Sequence, residues 1–238
     1  MGLLVPLITL GMVGCSPPAD TPEVESGPPG NSTAMTTRTA VRGDSVGADT
    51  SIRMVFLGTS LTAGLGLRLP EDRWPEQVGR LAGLSGYDVD VVNAGVSGDT
   101  STGGLRRLGW VLEERVDVLV VELGANDGLR GQSPSNLEEN LHAIVQTTRE
   151  RWPEAQIVIV GMEAPRNLGD EYVSAFRVVF PRVAAATGSS LVPFLLDGVA
   201  AVPELNQADG IHPTAEGHQK MAETAWPYIE PLLRESAG

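Results

Sequence analysis

Ser60, Asp209 and His212 are the residues of this chain whose types and surroundings suit nucleophilic chemistry. A serine hydroxyl is a weak nucleophile. It needs an adjacent base, the base needs an orienting acid, and the oxyanion that develops on an attacked carbonyl needs fixed donors. Ser60 stands in Gly58-Thr59-Ser60-Leu61-Thr62, a tight glycine-containing turn directly after an apolar run. There its Oγ can project into a crevice and its amide can face a substrate oxygen, although a lone serine in such a place would equally serve as a helix cap. Asp209 and His212, with Pro213 next, sit where a final helix begins, so both side chains can reach one crevice. Gly95, in Asn93-Ala94-Gly95-Val96-Ser97-Gly98, offers an amide with no Cβ in the way, or else ordinary turn chemistry. Asn126, in Gly124-Ala125-Asn126-Asp127-Gly128, offers a side-chain NH₂, or else an Asx turn. The other histidines read differently: His142 falls off the apolar face of its helix and is expected in solvent, and His218 aligns with Met221, Ala222 and Ala225 as helix packing.

The elements that must position these residues follow from hydrophobic periodicity. Short β-rich runs, Ile52 to Leu57, Val89 to Asn93, Val118 to Leu123, Ile157 to Val160 and Leu191 to Phe194, alternate with amphipathic helical stretches. That alternation predicts a parallel sheet covered on both faces. Ser135 with Glu138 predicts a capping box ahead of a helix whose apolar face is Leu137, Leu141, Ile144 and Val145. Leu105, Leu108, Val111 and Leu112 form a second stripe, and Tyr172, Phe176, Val179 and Val183 a third; all are expected in the core. Open α/β sheets bind ligands beyond the carboxyl ends of their strands, where the polar segments above fall.

Composition narrows the function classes. With 42% hydrophobic and 20% charged residues, 238 residues suffice for one domain with a sizeable core. A net charge of −13 argues against nucleic acid, whose binding rests on Lys and Arg, and against docking on anionic lipid. A single cysteine, Cys15, excludes an intramolecular disulfide, and with three histidines it leaves no Cys/His cluster for zinc, so no metal is expected. Residues 1–15 carry an apolar run too short to span a bilayer, followed by Met12-Val13-Gly14-Cys15. They are expected to be a signal peptide whose Cys15 resembles the lipidated cysteine of a bacterial lipobox. The alternative is a cleaved signal with an incidental cysteine and a secreted or periplasmic product. Residues 16–50, rich in Ser, Thr, Pro and Gly, read as a disordered tether of about 30 Å reach. Residues 51–238 are the expected folded domain, exported to the cell envelope, with membrane contact only through the lipid anchor.

Four ordered blocks resemble those of the GDSL/SGNH hydrolases: Gly58-Thr59-Ser60-Leu61-Thr62-Ala63-Gly64, Gly95 within Asn93 to Thr100, Gly124 to Gly131, and Asp209-Gly210-Ile211-His212-Pro213. They look closest to the branch of arylesterases, acyl-CoA thioesterase I and lysophospholipase L1. The resemblance implies a flavodoxin-like three-layer α/β/α sandwich with a five-stranded parallel sheet and no cofactor. It also implies a Ser60-His212-Asp209 triad and an oxyanion hole from the Ser60 amide, the Gly95 amide and the Asn126 side chain. Thr59 departs from the family's signature, which has aspartate there; that aspartate is not the triad acid. The α/β-hydrolase elbow is a competing template, but Thr62 occupies the place of its second glycine.

The reaction implied is hydrolysis of a carboxylic ester or thioester through an acyl-serine. Esters and lysophospholipids are favoured over CoA thioesters, which are scarce outside the cytoplasm. Leu61, Leu65, Leu129 and Val96 are candidates for an apolar acyl pocket. A carbohydrate O-deacetylase would use the same residues, but only 5% of the chain is aromatic for stacking on sugars. A catalytically silent binding domain is the third reading, disfavoured because every expected catalytic side chain is present.

Overall fold

The computed structural model describes residues 51–236. The expected signal segment, Cys15 and the tether of residues 16–50 lie outside the described residues. Five strands, β1 (Ile52–Gly58), β2 (Val89–Gly95), β3 (Val118–Glu122), β4 (Gln156–Val160) and β5 (Ser190–Val192), form one sheet in the order β2-β1-β3-β4-β5, and every pairing is parallel. The apolar runs of β1, β3 and β4 are buried almost throughout, whereas the edge strand β2 is half-buried at every position. Continuous Val, Ile and Leu runs suit strands covered on both sides.

Between the strands lie α1 (Ser60–Ala63), α2 (Trp74–Leu84), α3 (Ser101–Val111), α4 (Ala125–Leu129), α5 (Pro134–Arg151), α6 (Asp170–Arg177) and α7 (Val179–Thr187), and α8 (Ala215–Ser236) follows β5. The chain passes from β1 outward to β2, then returns past β1 and builds β3, β4 and β5 in the opposite direction. Because such crossovers are right-handed, reversing direction puts the connecting helices on opposite faces. Accordingly α2 packs with α8, and α3 packs with α5 and α5 with α7. The three-layer sandwich is therefore as expected. In the core Phe56 meets Trp74 edge to face with ring centroids 4.9 Å apart, a geometry worth about 0.5–1.5 kcal/mol beyond burial.

Three local expectations are corrected. Ser133, not Ser135, is the N-cap of α5, because Pro134 has the fixed φ suited to the first helical position. No side-chain cap bond forms there, and Glu138 pairs instead with Arg182 at 2.9 Å. The single stripe from Tyr172 to Val183 is two helices parted at Val178. Pro181 explains the break: it lacks an N–H and its ring would meet the carbonyl of Arg177 in a continuous helix. The last strand stops at Val192, after which Pro193 cannot extend the ladder, and Phe194 leaves the sheet.

Candidate active site

The direction of the chain reverses between β1 and β3, which leaves a crevice at their carboxyl ends. Ser60 follows β1 after a single residue, and Asn126 lies just past β3 at the start of α4. Asp209 and His212 come from the loop ahead of α8, which a glycine at positive φ, Gly210, helps to turn. Ser60, His212 and Asp209 are hydrogen-bonded in series although Ser60 and His212 are 152 positions apart.

His212 Nε2 lies 3.0 Å from Ser60 Oγ, and its Nδ1 lies 2.7 Å from Asp209 Oδ2. Asp209 Oδ1 accepts the amides of Ile211 at 2.9 Å and His212 at 3.0 Å. The hydrogen bond from the His212 ring, helped by those two amides, holds the Asp209 carboxyl well below the usual carboxylate range. An ionised carboxylate on Nδ1 fixes the tautomer in which Nε2 is free to take a proton from the serine. Asn126 and His212 line the same cleft as Ser60. One Asn126 N–H donates to the Asp99 carbonyl at 2.9 Å, which orients the side chain and leaves the second N–H for a ligand.

Gly95 is not brought to this cleft. Its amide donates to Asn93 Oδ1 at 3.1 Å, and a Cβ on it would lie 2.2 Å from the Ala63 nitrogen, so its smallness serves the close passage of α1. Ser97 and Gly98 line the cleft instead, and Gly98 adopts φ +82. Among the apolar candidates, Leu61, Leu65 and Leu129 line the cleft, while Val96 does not; its amide closes the loop onto Gly58 O at 3.0 Å. His218 is buried in α8 and its Nδ1 accepts the Trp74 amide at 3.2 Å, joining α8 to the start of α2. Burial pushes its ring down to about 4, with the nearby charges of His212 and Arg73 adding to the shift. His142 is half-buried on α5.

Several residues that support the site were not foreseen. Glu122, the last residue of β3, is buried and accepts hydrogen bonds from Thr59 and Thr62, so the position where the family has aspartate is here a hydroxyl that donates to a neighbouring carboxylate. Its signal in the sequence was a lone charge closing the run Val118-Leu119-Val120-Val121. Arg107 donates from Nε to Asp99 at 2.7 Å and from Nη2 to Gly58 O at 2.9 Å, linking the loop behind Asn126 to the turn that carries Ser60. Gln207 Nε2 donates to Leu65 O at 2.8 Å and Pro213 O at 2.9 Å, and its amide donates to His212 O at 2.7 Å. It thereby straps the His212 loop to the segment that follows Ser60.

A parallel sheet with a serine, histidine and aspartate hydrogen-bonded in series at its switch point defines a serine hydrolase of the three-layer α/β/α kind. The sequence profile of the GDSL-like Lipase/Acylhydrolase family matches residues 56–220, and the chain belongs to that family. It is by class a carboxylic ester hydrolase. Esterase TesA of Pseudomonas aeruginosa is 42% identical over 181 residues, covering 76% of this chain and 89% of that protein. Thioesterase 1/protease 1/lysophospholipase L1 of Escherichia coli K12 is 32% identical over 192 residues, covering 77% and 86% of the two chains. Among solved structures, the crystal structure of TesA superposes with a TM-score of 0.71 at 41% identity, over 76% of this chain and 99% of the other.

Proposed function

We propose that this enzyme hydrolyses esters of apolar acyl or aryl groups, lysophospholipids among them, through an acyl-serine intermediate. The observation that carries the reading is the series Ser60 Oγ to His212 Nε2 at 3.0 Å and His212 Nδ1 to Asp209 at 2.7 Å. As Ser60 Oγ bonds to the carbonyl carbon, its proton passes to His212 Nε2, and the carbonyl electrons move onto oxygen. Collapse of that tetrahedral adduct breaks the ester bond, and His212 returns the proton to the departing alkoxide. Water then repeats the sequence on the acyl-serine, releasing the acid and restoring Ser60.

The oxyanion is assigned to the Ser60 amide, the Asn126 side chain and the Gly98 amide, the last in place of Gly95. Support for Gly98 is its position on the cleft, whereas the Gly95 amide is engaged by Asn93. The cleft has a volume near 760 Å³, and Leu61, Leu65, Leu129, Met162, Phe194 and Leu196 give it an apolar wall suited to an alkyl or aryl group. Among the described residues Phe194 is its one aromatic wall residue besides His212, which favours an acyl chain over a sugar. Arg166 stands on the same wall, exposed and without an ion-pair partner among the described residues, whereas neighbouring Glu163 is paired with Arg177 at 3.0 Å. A free guanidinium beside an apolar groove suits the phosphate of a lysophospholipid.

Nitrophenyl esters of graded chain length, assayed with the wild type and Ser60→Ala, test the reading. Hydrolysis by the wild type and none by a folded Ser60→Ala is expected; retained activity in the variant overturns it. The sequence also supports export and attachment to the envelope through Cys15. Cys15→Ser should release the protein from the membrane fraction or block its maturation, and an unchanged distribution removes the anchor. Among the described residues no helix is long and apolar enough to cross a membrane.

A further inference from the structure

Glu122 is fully buried at the end of an apolar strand, and among the described residues no Lys or Arg pairs with it. A buried carboxylate without a cation is costly, and an apolar side chain would pack there at less expense. Its oxygens accept four donors instead. Oε2 takes the Thr59 amide at 2.9 Å, the Thr62 amide at 3.2 Å and the Thr62 hydroxyl at 2.8 Å, and Oε1 takes the Thr59 hydroxyl at 3.0 Å. Burial pushes the Glu122 carboxyl up to about 7, against the pull of these bonds toward the ionised form.

The four donors belong to the two residues that bracket Ser60 and Leu61. The N-cap of α1, Thr59, makes no side-chain bond to the helix it precedes. A carboxylate from the neighbouring strand fills that capping role, which favours negative charge at a helix start. Gly58 leaves the room it requires: a Cβ there would lie 2.0 Å from Thr62 Oγ1 and 2.7 Å from Glu122 Oε2. With the amides on either side engaged, the Ser60 amide has no intramolecular partner among the described residues and can face the cleft.

We propose that Glu122 is a positioning residue for the nucleophile: by holding Thr59 and Thr62 together it fixes the turn on which the Ser60 Oγ meets His212 and the Ser60 amide meets the oxyanion. The inference rests on the assignment of Ser60 above. It differs from a stability role in what it moves, because misplacement of a reacting group slows the chemical step while leaving the pocket walls alone.

Glu122→Gln keeps the size and one acceptor oxygen but replaces the second with a donor. Three quantities decide: kcat and KM on a nitrophenyl ester, the rate at which an alkyl phosphonate inactivates the enzyme by reacting with Ser60, and Tm. The expected result is a kcat and an inactivation rate lowered together by about 10- to 10²-fold, the scale for a misplacement near 1 Å, with KM within about threefold. Wild-type rates with only a lowered Tm overturn the proposal. Should Glu122→Gln not fold, Thr62→Val removes one bond at nearly constant shape. A folded Thr62→Val should lose severalfold in both rates, and wild-type rates there likewise overturn it. Ser60→Ala runs alongside: activity in that variant refutes the assignment of the nucleophile, whereas an inert Ser60→Ala beside a full-rate Glu122→Gln refutes only the role of Glu122.

Discussion

The Asn126 side chain is tied to the Asp99 carbonyl at 2.9 Å, and Asp99 is in turn tied by its carboxylate to Arg107 at 2.7 Å. Arg107 also reaches Gly58 O at 2.9 Å, so the proposed oxyanion donor and the turn that carries Ser60 share one support. Preorganisation of this kind matters because a donor already oriented costs no rearrangement when charge develops.

Asn126→Ala should therefore lower kcat by about 10²- to 10³-fold, or roughly 2.7–4 kcal/mol, with little change in KM. Steady-state kinetics and thermal unfolding on one purified variant check this. A lowered Tm with kcat preserved would mean that Asn126 only closes a turn.

Gln207→Ala should loosen the strap between Leu65 and Pro213. Loss of one exposed and one part-buried hydrogen bond is expected to cost about 1–2 kcal/mol of stability, and kcat should fall severalfold because the His212 loop is no longer held against Ser60. Denaturant unfolding and kcat measured on the same sample test the pair of effects. Unchanged kcat at lower stability would confine Gln207 to folding.

His218 predicts a pH dependence of stability. Its folded value, near 4, lies below the ordinary 6.5, so the unfolded chain binds the proton first as the solution acidifies. The contribution is fully present above pH 6.5 and is lost as pH falls toward 4, by at most about 3 kcal/mol. His218→Gln should lack that part of the slope. Coincident slopes for the two proteins between those values would show that the ring is protonated in the folded state.

Ser60, Asn126, Asp209 and His212 were legible because each is a polar residue of reactive type just past an apolar run or ahead of a helix, and strand ends are where parallel sheets bind ligands. Gly95 and Gly98 could not be told apart in the sequence, because one ends β2 and the other lies three residues on, and only the folded chain places Gly98 on the cleft while Asn93 takes the Gly95 amide. Glu122 was hidden because a charge that closes an apolar strand looks like the chain's exit into water. Only the register that sets Gly58 beside Glu122 reveals that it points into the nucleophile turn. Ser135 failed as a cap for a local reason, since Pro134 claims the first helical position and shifts the start by two residues.

The cleft divides its labour between strands. The adjoining strands β1 and β3 lead into Ser60, Asn126 and the Glu122 clamp together with Leu61, Leu65 and Leu129, whereas the segments leaving β4 and β5 supply Met162, Ala164, Arg166, Phe194 and Leu196 to the wall. Part of the wall is thus encoded in stretches of chain that carry neither Ser60 nor Asn126, while Leu61, Leu65 and Leu129 share their segments. A duplicated copy could acquire a new acyl preference by changing Met162, Phe194 or Leu196 alone, with Ser60, Asn126, Asp209 and His212 left as they are.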